Sequence, residues 1–315
     1  MSEQAARTAL AGRIRAVLNT GSGSVNAAAP GRMAQIFAEA GLDHVEMVVA
    51  SPQDIETALA SAMDEADVVV VLGGDGTIRT AAHGCGACGK LLVPLPGGTM
   101  NMLPRALYGV RTWPKVLASV LARPRVQVVS GGKIGKESFY CAAILGAPSL
   151  WADAREAVRH GRLIEAVKRS AVALEHSGEP LTYDLGDGTE GHAEALAVIC
   201  PLVSKALGNN APALEVAALE PATATGVFSL AYHAVFDDWR RDPSVSLARV
   251  KRIEVSAEGR LPAILDGEKV RLGRSARVMF QPMAFRALVP QQRGRTRALQ
   301  AKVDPASPPG AGLNF

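Results

Sequence analysis

Gly73-Gly74-Asp75-Gly76-Thr77 gathers three glycines around one carboxylate and one hydroxyl, directly after the apolar run Val68 to Leu72. Glycines let the main chain approach an anion closely and turn its N–H groups onto phosphate oxygens. A lone acid in such a loop is a poor phosphate ligand. Asp75 is better suited to hold Mg²⁺ or its waters beside phosphate, or to take a proton from an attacking hydroxyl. A second loop, Pro96-Gly97-Gly98-Thr99-Met100-Asn101, closes the run Leu91 to Leu95, and a third, Asn19-Thr20-Gly21-Ser22-Gly23-Ser24, closes Ile14 to Leu18. Three polar, glycine-bearing loops at strand ends read as one polyphosphate cradle. Tight turns that merely cap helices through Thr77 and Asn101 are the plainer alternative.

The elements that must position these loops follow from pattern. Val68 to Leu72 is β-branched and apolar throughout, as expected of a strand covered on both faces. Pro30 to Ala40 reads as a helix ended by Gly41, and His44 to Val49 as a strand. Ser51-Pro52 reads as the start of a helix running to about Glu65. Ile78 to His83 looks helical, a helix is expected from about Leu103, and Trp113 to Arg123 is another. The first hundred residues thus read βαβαβ with parallel strands and helices on the sheet faces. Residues 1–12 read as a polar leader.

From Val126 the texture changes. Strands are expected at Val126 to Val129, Ser138 to Leu145, Leu181 to Leu185, Ala193 to Cys200, Val227 to His233 and Val250 to Ser256. Others are expected at Pro262 to Leu265, Lys269 to Leu272, Ala276 to Gln281 and Ala284 to Val289. Gly186-Asp187-Gly188 reads as a hairpin turn. Asp153 to Glu175 is helical in pattern, with Arg155, Arg159, Arg162 and Arg169 on one stripe, read either as a solvated face or as a strip for anionic headgroups. The fold class expected is α/β: a Rossmann-like parallel domain over 1–125, rejoined by 284–302, and a mostly antiparallel β-sandwich over 126–283. Residues 303–315, rich in Pro and Gly, are expected to be a disordered tail. Within the second domain, Leu265-Asp266-Gly267-Glu268 is locally an Asp-Gly turn joining two strands.

The GGDGT loop, followed some twenty residues on by Pro-x-Gly-Thr-x-Asn, resembles the diacylglycerol kinase catalytic-domain superfamily, which includes bacterial diacylglycerol kinases and sphingosine and ceramide kinases. The resemblance implies an ATP- and Mg²⁺-dependent phosphotransferase with a lipid alcohol as acceptor, in the two-domain fold given above and with the active site in the cleft between the domains. It places nucleotide contacts on Gly73, Gly74, Asp75, Gly76 and Thr77, and on Gly98, Thr99 and Asn101. In the third loop Asn19, Ser22 and Gly23 match the family pattern. Asp75 takes the essential-aspartate and metal role. The family's Asp-Gly-Glu faces the cleft, which carries a proton-acceptor role to Glu268 with Asp266 beside it; a general-base share for Asp75 stays open. This chain departs from the pattern at Arg79-Thr80, where Asn-Glu is usual, and at Met102, where Asp is usual. A structural Mg²⁺ loop of the bacterial members aligns with Pro221 to Gly226, which offers no carboxylate, so that ion is expected to be absent. The acceptor is left as ceramide, a sphingoid base or diacylglycerol. An NAD kinase-like enzyme, which shares GGDGT, and a catalytically silent nucleotide or lipid sensor are the alternatives.

Composition narrows the partners. Lys and Arg number 34 against 30 Asp and Glu, a net +4, which suits an anionic membrane surface or acidic ligands and is too weak to indicate nucleic acid. Aromatic residues are only 4%, too few for a base-stacking platform. No apolar run approaches the length of a membrane span, and Met1 to Arg15 lacks a signal-peptide core. The expectation is a cytoplasmic protein peripherally associated with the inner face of the membrane. The C-x-x-C at Cys85 and Cys88 lacks a local fourth ligand for zinc and is expected to lie in a helix-to-strand loop as unpaired thiols, with Cys141 and Cys200.

Overall fold

The computed structural model describes residues 3–146, 180–204, 206–207, 211–219 and 245–291. The apolar runs become β1 (Ile14–Asn19), β2 (Glu46–Ala50), β3 (Val68–Gly73) and β4 (Leu91–Pro96). They pair in parallel in the order β2-β1-β3-β4. Every residue of β3 is buried, as a strand covered on both faces requires. At about 1.5–3 kcal/mol for each buried valine or leucine side chain, this strand alone is a large share of the local driving force. The intervening helices are α2 (Ala29–Glu39), α3 (Ile55–Glu65) and α4 (Asp75–Cys88), followed by α5 (Met102–Tyr108) and α6 (Trp113–Ala122). The chain steps outward from β1 to β2 and then back past β1 to β3. Right-handed crossovers therefore put α2 on one face and α3 and α4 on the other. The crevice where the direction reverses lies at the carboxyl ends of β1 and β3, the usual ligand position in open α/β sheets.

The remaining strands are β5 (Pro124–Ile134), β6 (Glu137–Phe139), β7 (Ala142–Gly146), β8 (Leu181–Asp184), β9 (Glu190–Ala193), β10 (Ala195–Ile199), β11 (Leu214–Leu219), β12 (Val245–Val250), β13 (Arg252–Ser256), β14 (Pro262–Leu265), β15 (Glu268–Arg271) and β16 (Ser275–Pro290). β16 runs parallel to β4 at Arg286 and Ala287, antiparallel to β13 over Ser275 to Met279, and antiparallel to β5 along most of its length. One sheet of ten strands thus begins parallel and ends antiparallel. A second sheet, β12-β11-β10-β7-β14-β15, is antiparallel throughout. A core including Phe139, Leu145, Leu196, Val216, Ile253, Leu265 and Val278 fills the sandwich. A separate, larger core surrounds β1, β3 and β4. β5 and β16 pass from one core to the other, so the lobes share backbone pairing and are not joined by a linker.

Several local expectations change. Residues 3–10 are α1 (Glu3–Leu10), which buries Ala6 and Leu10, where a polar leader was expected. α3 begins at Ile55 and not at Pro52; the Ser51 hydroxyl donates to the Asp54 carboxylate (2.6 Å) and closes a turn before the helix. Cys85 and Cys88 lie in the last turns of α4, not in a loop, because Gly89, at φ 69°, ends the helix only after them. Ser138 to Leu145 is two strands, β6 and β7. Ala276 to Gln281 and Ala284 to Val289 are one continuous strand, β16, whose register shifts between Gln281 and Phe285. That irregularity breaks the alternation and hides the continuity. β11 and β12 were not anticipated. The Asp153 to Glu175 helix with its arginine stripe, the Val227 to His233 strand, the Pro221 to Gly226 loop and the 303–315 tail lie outside the described residues.

α4 approaches β16 closely enough that a Cβ on Gly86 would lie 2.0 Å from the Ala284 carbonyl oxygen. In an exposed helix, Gly→Ala stabilises by about 1 kcal/mol. Here the sign reverses: Gly86→Ala is expected to destabilise by about 1–3 kcal/mol through overpacking. The urea midpoint checks it, and a midpoint equal to or above wild type would contradict this packing.

Candidate active site

The three strand-end loops meet. Asn19, the last residue of β1, donates through Nδ2 to Thr77 Oγ1 (2.8 Å) and accepts the Gly21 N–H at Oδ1 (2.9 Å). Ser22 Oγ accepts the Gly74 N–H (2.9 Å), and the Ser24 N–H donates to the Gly97 carbonyl (2.8 Å). The Gly97 N–H donates in turn to the Gly73 carbonyl (2.9 Å). The second loop lies backbone to backbone on the first. A Cβ on Gly98 would lie 2.8 Å from Gly74 Cα, and one on Gly97 2.9 Å from the Gly73 nitrogen, which is why the second loop carries glycine at both positions. Asn101 adopts φ 51° and clasps its own loop, accepting the Gly98 N–H (2.8 Å) and donating to the Gly98 carbonyl (2.7 Å). Asparagine tolerates that left-handed backbone better than most residues and supplies both bonds.

Asp75 is the first residue of α4, and the GGDGT segment is therefore half loop and half first helical turn. Its carboxylate accepts the Asn101 N–H at Oδ2 (2.9 Å) and the Met102 N–H at Oδ1 (2.6 Å). One acid thus caps the start of α5 from the start of α4, where two helix dipoles favour negative charge. Each oxygen keeps a further lone pair. The N–H groups of Asp75, Gly76 and Thr77 have no acceptor among the described residues. Three open donors at the N-terminus of a 14-residue helix beside the switch-point crevice are suited to phosphate oxygens. Gly23 and Thr99 are exposed. A Cβ on Gly23 would meet nothing within 4 Å, so neither residue is locked to the other loops as Asn19, Ser22 and Asn101 are.

The Asp-Gly-Glu segment is the β14–β15 turn, with Asp266 at φ 49° and Gly267 at φ 92°. Its two acids have different surroundings. Asp266 is 3% exposed and accepts three backbone N–H groups, from Tyr140 (2.7 Å), Cys141 (2.8 Å) and Ala142 (3.0 Å). It organises the corner between β6 and β7. Glu268 is exposed and makes no hydrogen bond or ion pair with the described residues. A Cβ on Gly76 would lie 3.4 Å from Glu268 Oε1, and one on Gly267 would lie 3.4 Å from the Met100 methyl. The turn of the second lobe therefore sits over the first and second loops of the parallel lobe.

Residues 13–134 match the diacylglycerol kinase catalytic domain. The fold likeness reaches further. A solved structure from Bacillus anthracis str. Sterne, provisionally assigned as a diacylglycerol kinase, is 17% identical; the match covers 88% of this chain and 96% of that one, with a TM-score of 0.67. A second, described as a diacylglycerol kinase from the same organism, is 14% identical over 88% and 96%, with a TM-score of 0.65. The superfamily match covers the cradle and β5 but ends before the Asp-Gly-Glu turn, for which the geometry here is the guide.

Sequence reasoning noticed Arg79 only as a departure and missed Glu137 and the amides of residues 140–142. Arg79 follows Asp75 by four residues, hence on the same helix face. It lies 3.3 Å from Glu137 of β6. The i, i+4 spacing was the available signal; Glu137 and the 140–142 corner carry none. The four cysteines are unpaired. Cys85, Cys141 and Cys200 are buried, and burial pushes the Cys85 thiol up to about 12, so it is an inert core thiol at neutral pH. Among the described residues no group of three or more His, Cys, Asp or Glu is arranged to hold a metal.

Burial raises the Asp266 carboxyl from 3.8 to about 6, with the three amide N–H groups and Arg79 pulling it back. The folded protein therefore keeps a proton there that the unfolded chain releases near pH 4. Stability from this group is greatest below about pH 4, declines as pH rises to about 6, and is level above. Asp266→Asn should remove the slope. The unfolding free energy of wild type minus that of the variant is expected to fall by up to about 3 kcal/mol from pH 4 to pH 7, since holding one proton across one pH interval is worth about 1.4 kcal/mol. A difference that rises over this interval would mean that the amides favour the ionised form more than burial opposes it.

Proposed function

We propose that this protein is an ATP-dependent lipid kinase that transfers the γ-phosphoryl group to the hydroxyl of a lipid acceptor. The supporting observation is one juxtaposition: open amides and Asp75 at the start of α4, with the Glu268 carboxylate of the other lobe, which has no partner among the described residues, against Gly76. The nucleotide side is assigned to the lobe of residues 1–125 with the returning 284–302 segment, and the acceptor side to 126–283.

Phosphoryl transfer asks little covalent chemistry of the protein and much positioning and charge neutralisation. The Asp75, Gly76 and Thr77 N–H groups hold phosphate oxygens, and the Asn19–Thr77 and Ser22–Gly74 bonds keep those amides in place. Gly23, Gly73, Gly98, Thr99 and Asn101 line the same cradle. Mg²⁺ is usually held by one or two carboxylates together with phosphates and waters, and one carboxylate with free lone pairs suffices for that donor set. Asp75 is the residue that would hold it, and the ion would supply neutralisation of phosphate charge. Glu268, unpaired and at the mouth of the cradle, accepts the proton of the acceptor hydroxyl. Asp266 acts at one remove, holding the corner and the turn that carry Glu268.

The acceptor is drawn from a bilayer surface, with peripheral contact favoured by the modest positive charge of the chain. No helix among the described residues is long and apolar enough to cross a membrane. Phosphate transfer from Mg²⁺-ATP to lipids in mixed micelles tests the proposal. Glu268→Gln is expected to lower kcat by about 10²–10⁴-fold, the usual worth of a positioned base. Asp75→Asn should lower it by at least about 10²-fold. Each variant should keep a wild-type circular dichroism spectrum. A well-folded Asp75→Asn protein with near-wild-type turnover would sink the assignment.

A further inference from the structure

The stripe of α4 that continues from Asp75 lies along the seam between the lobes. Gly76 meets Glu268, Arg79 meets Glu137 of β6, His83 Nδ1 lies 3.2 Å from Ser138 Oγ, and Gly86 meets the Ala284 backbone. One turn of helix, about 6 Å, separates Asp75 from Arg79. Arg79 therefore sits beside the place where an acceptor presenting its hydroxyl to Glu268 would hold its next polar group.

A guanidinium is donor-only and permanently charged. Arg79 has one partner among the described residues, the Glu137 carboxylate at 3.3 Å, and it makes no hydrogen bond there. The nitrogen that faces Glu137 is Nη1, which is shielded from solvent, while 19% of the side chain stays accessible and neither Nη2 nor Nε has a hydrogen-bond partner among the described residues. Its field also reaches Asp266 and Tyr140 across the seam. A cation with spare N–H donors, one turn from the reacting position, is matched by an oxygen acceptor and mismatched by an ammonium.

We propose that Arg79 is the acceptor-selecting residue: it favours a lipid whose hydroxyl neighbours an ester or amide carbonyl, and disfavours one whose hydroxyl neighbours a free amine. This rests on the lipid-kinase reading and narrows it, placing diacylglycerol and ceramide ahead of a free sphingoid base. Glu137 takes up the shielded Nη1 and partly offsets the charge of Arg79, while the Nη2 and Nε donors stay open to an acceptor oxygen.

The test is initial-rate phosphorylation of diacylglycerol, ceramide and a free sphingoid base at equal mole fraction in neutral mixed micelles with Mg²⁺-ATP. Wild type is expected to show a kcat/KM at least tenfold higher for one or both carbonyl-bearing acceptors than for the amine. Arg79→Gln should narrow that ratio at least fivefold, chiefly through KM for the carbonyl acceptor, and Arg79→Lys should restore part of it. A wild-type preference for the amine overturns the proposal even if no variant folds. So does an Arg79→Gln protein that slows all three acceptors by the same factor. In both cases the kinase reading survives, whereas no transfer to any of the three would remove that reading and this proposal with it.

Discussion

The structure depends on the contact between two glycine loops at the ends of neighbouring parallel strands. Side chains cannot intervene there: a Cβ on Gly97 would lie 2.9 Å from the Gly73 nitrogen, and one on Gly98 2.8 Å from Gly74 Cα. Because the main chains touch, the start of α5 comes within hydrogen-bond reach of the first residue of α4. Asp75 can then receive the Asn101 and Met102 N–H groups. The same acid that suits a metal or a phosphate-bound water thus also fixes the geometry of the second loop. Charge placement and loop architecture are one feature here, and neither can be altered without the other.

The second lobe divides the labour between its acids differently. Two neighbouring acids sit on one tight turn, yet one is buried among three amides and the other is exposed. The turn geometry separates them. Residues with positive φ at both central positions reverse the chain so that Asp266 points into the β6–β7 corner while Glu268 begins the next strand. The buried carboxylate is the organiser and the exposed one is available to a ligand. Under the proposed function, a proton acceptor is carried on an arm whose root is locked by hydrogen bonds that water cannot reach.

Joining the lobes through β5 and β16 has a consequence for the site between them. Two long paired strands running from one core to the other resist relative rotation more than a linker would. The seam of α4 against β6 and β16 is then a built surface, with Gly86 packed on the Ala284 backbone and Arg79 facing Glu137. A site formed at such a seam can rely on distances set by strand pairing.

Much of the parallel lobe was legible from the chain. The unbroken Val68 to Leu72 run, the polar glycine loops behind three apolar runs and the Gly41 stop follow from sterics and burial that act within a few residues. The match over residues 13–134 was foreshadowed too, because GGDGT and its follower loop are constrained by contacts of the main chain itself. The antiparallel lobe was harder. β11 and β12 went unseen, and the β16 irregularity split one strand into two, because strand pairing is a long-range choice that local alternation reports weakly. The sequence by itself determined that polar, glycine-bearing loops lie at strand ends and that a carboxylate stands among them. Only the tertiary structure decided what each acid does: that Asp75 holds the second loop, that Asp266 is taken up by backbone amides, that Glu268 stays open beside Gly76, and that Arg79 looks across the seam. The reason is physical. Residue type sets what a side chain can donate, accept or ionise, but burial and partners arrive from segments tens to hundreds of residues away, and those alone choose among the possibilities.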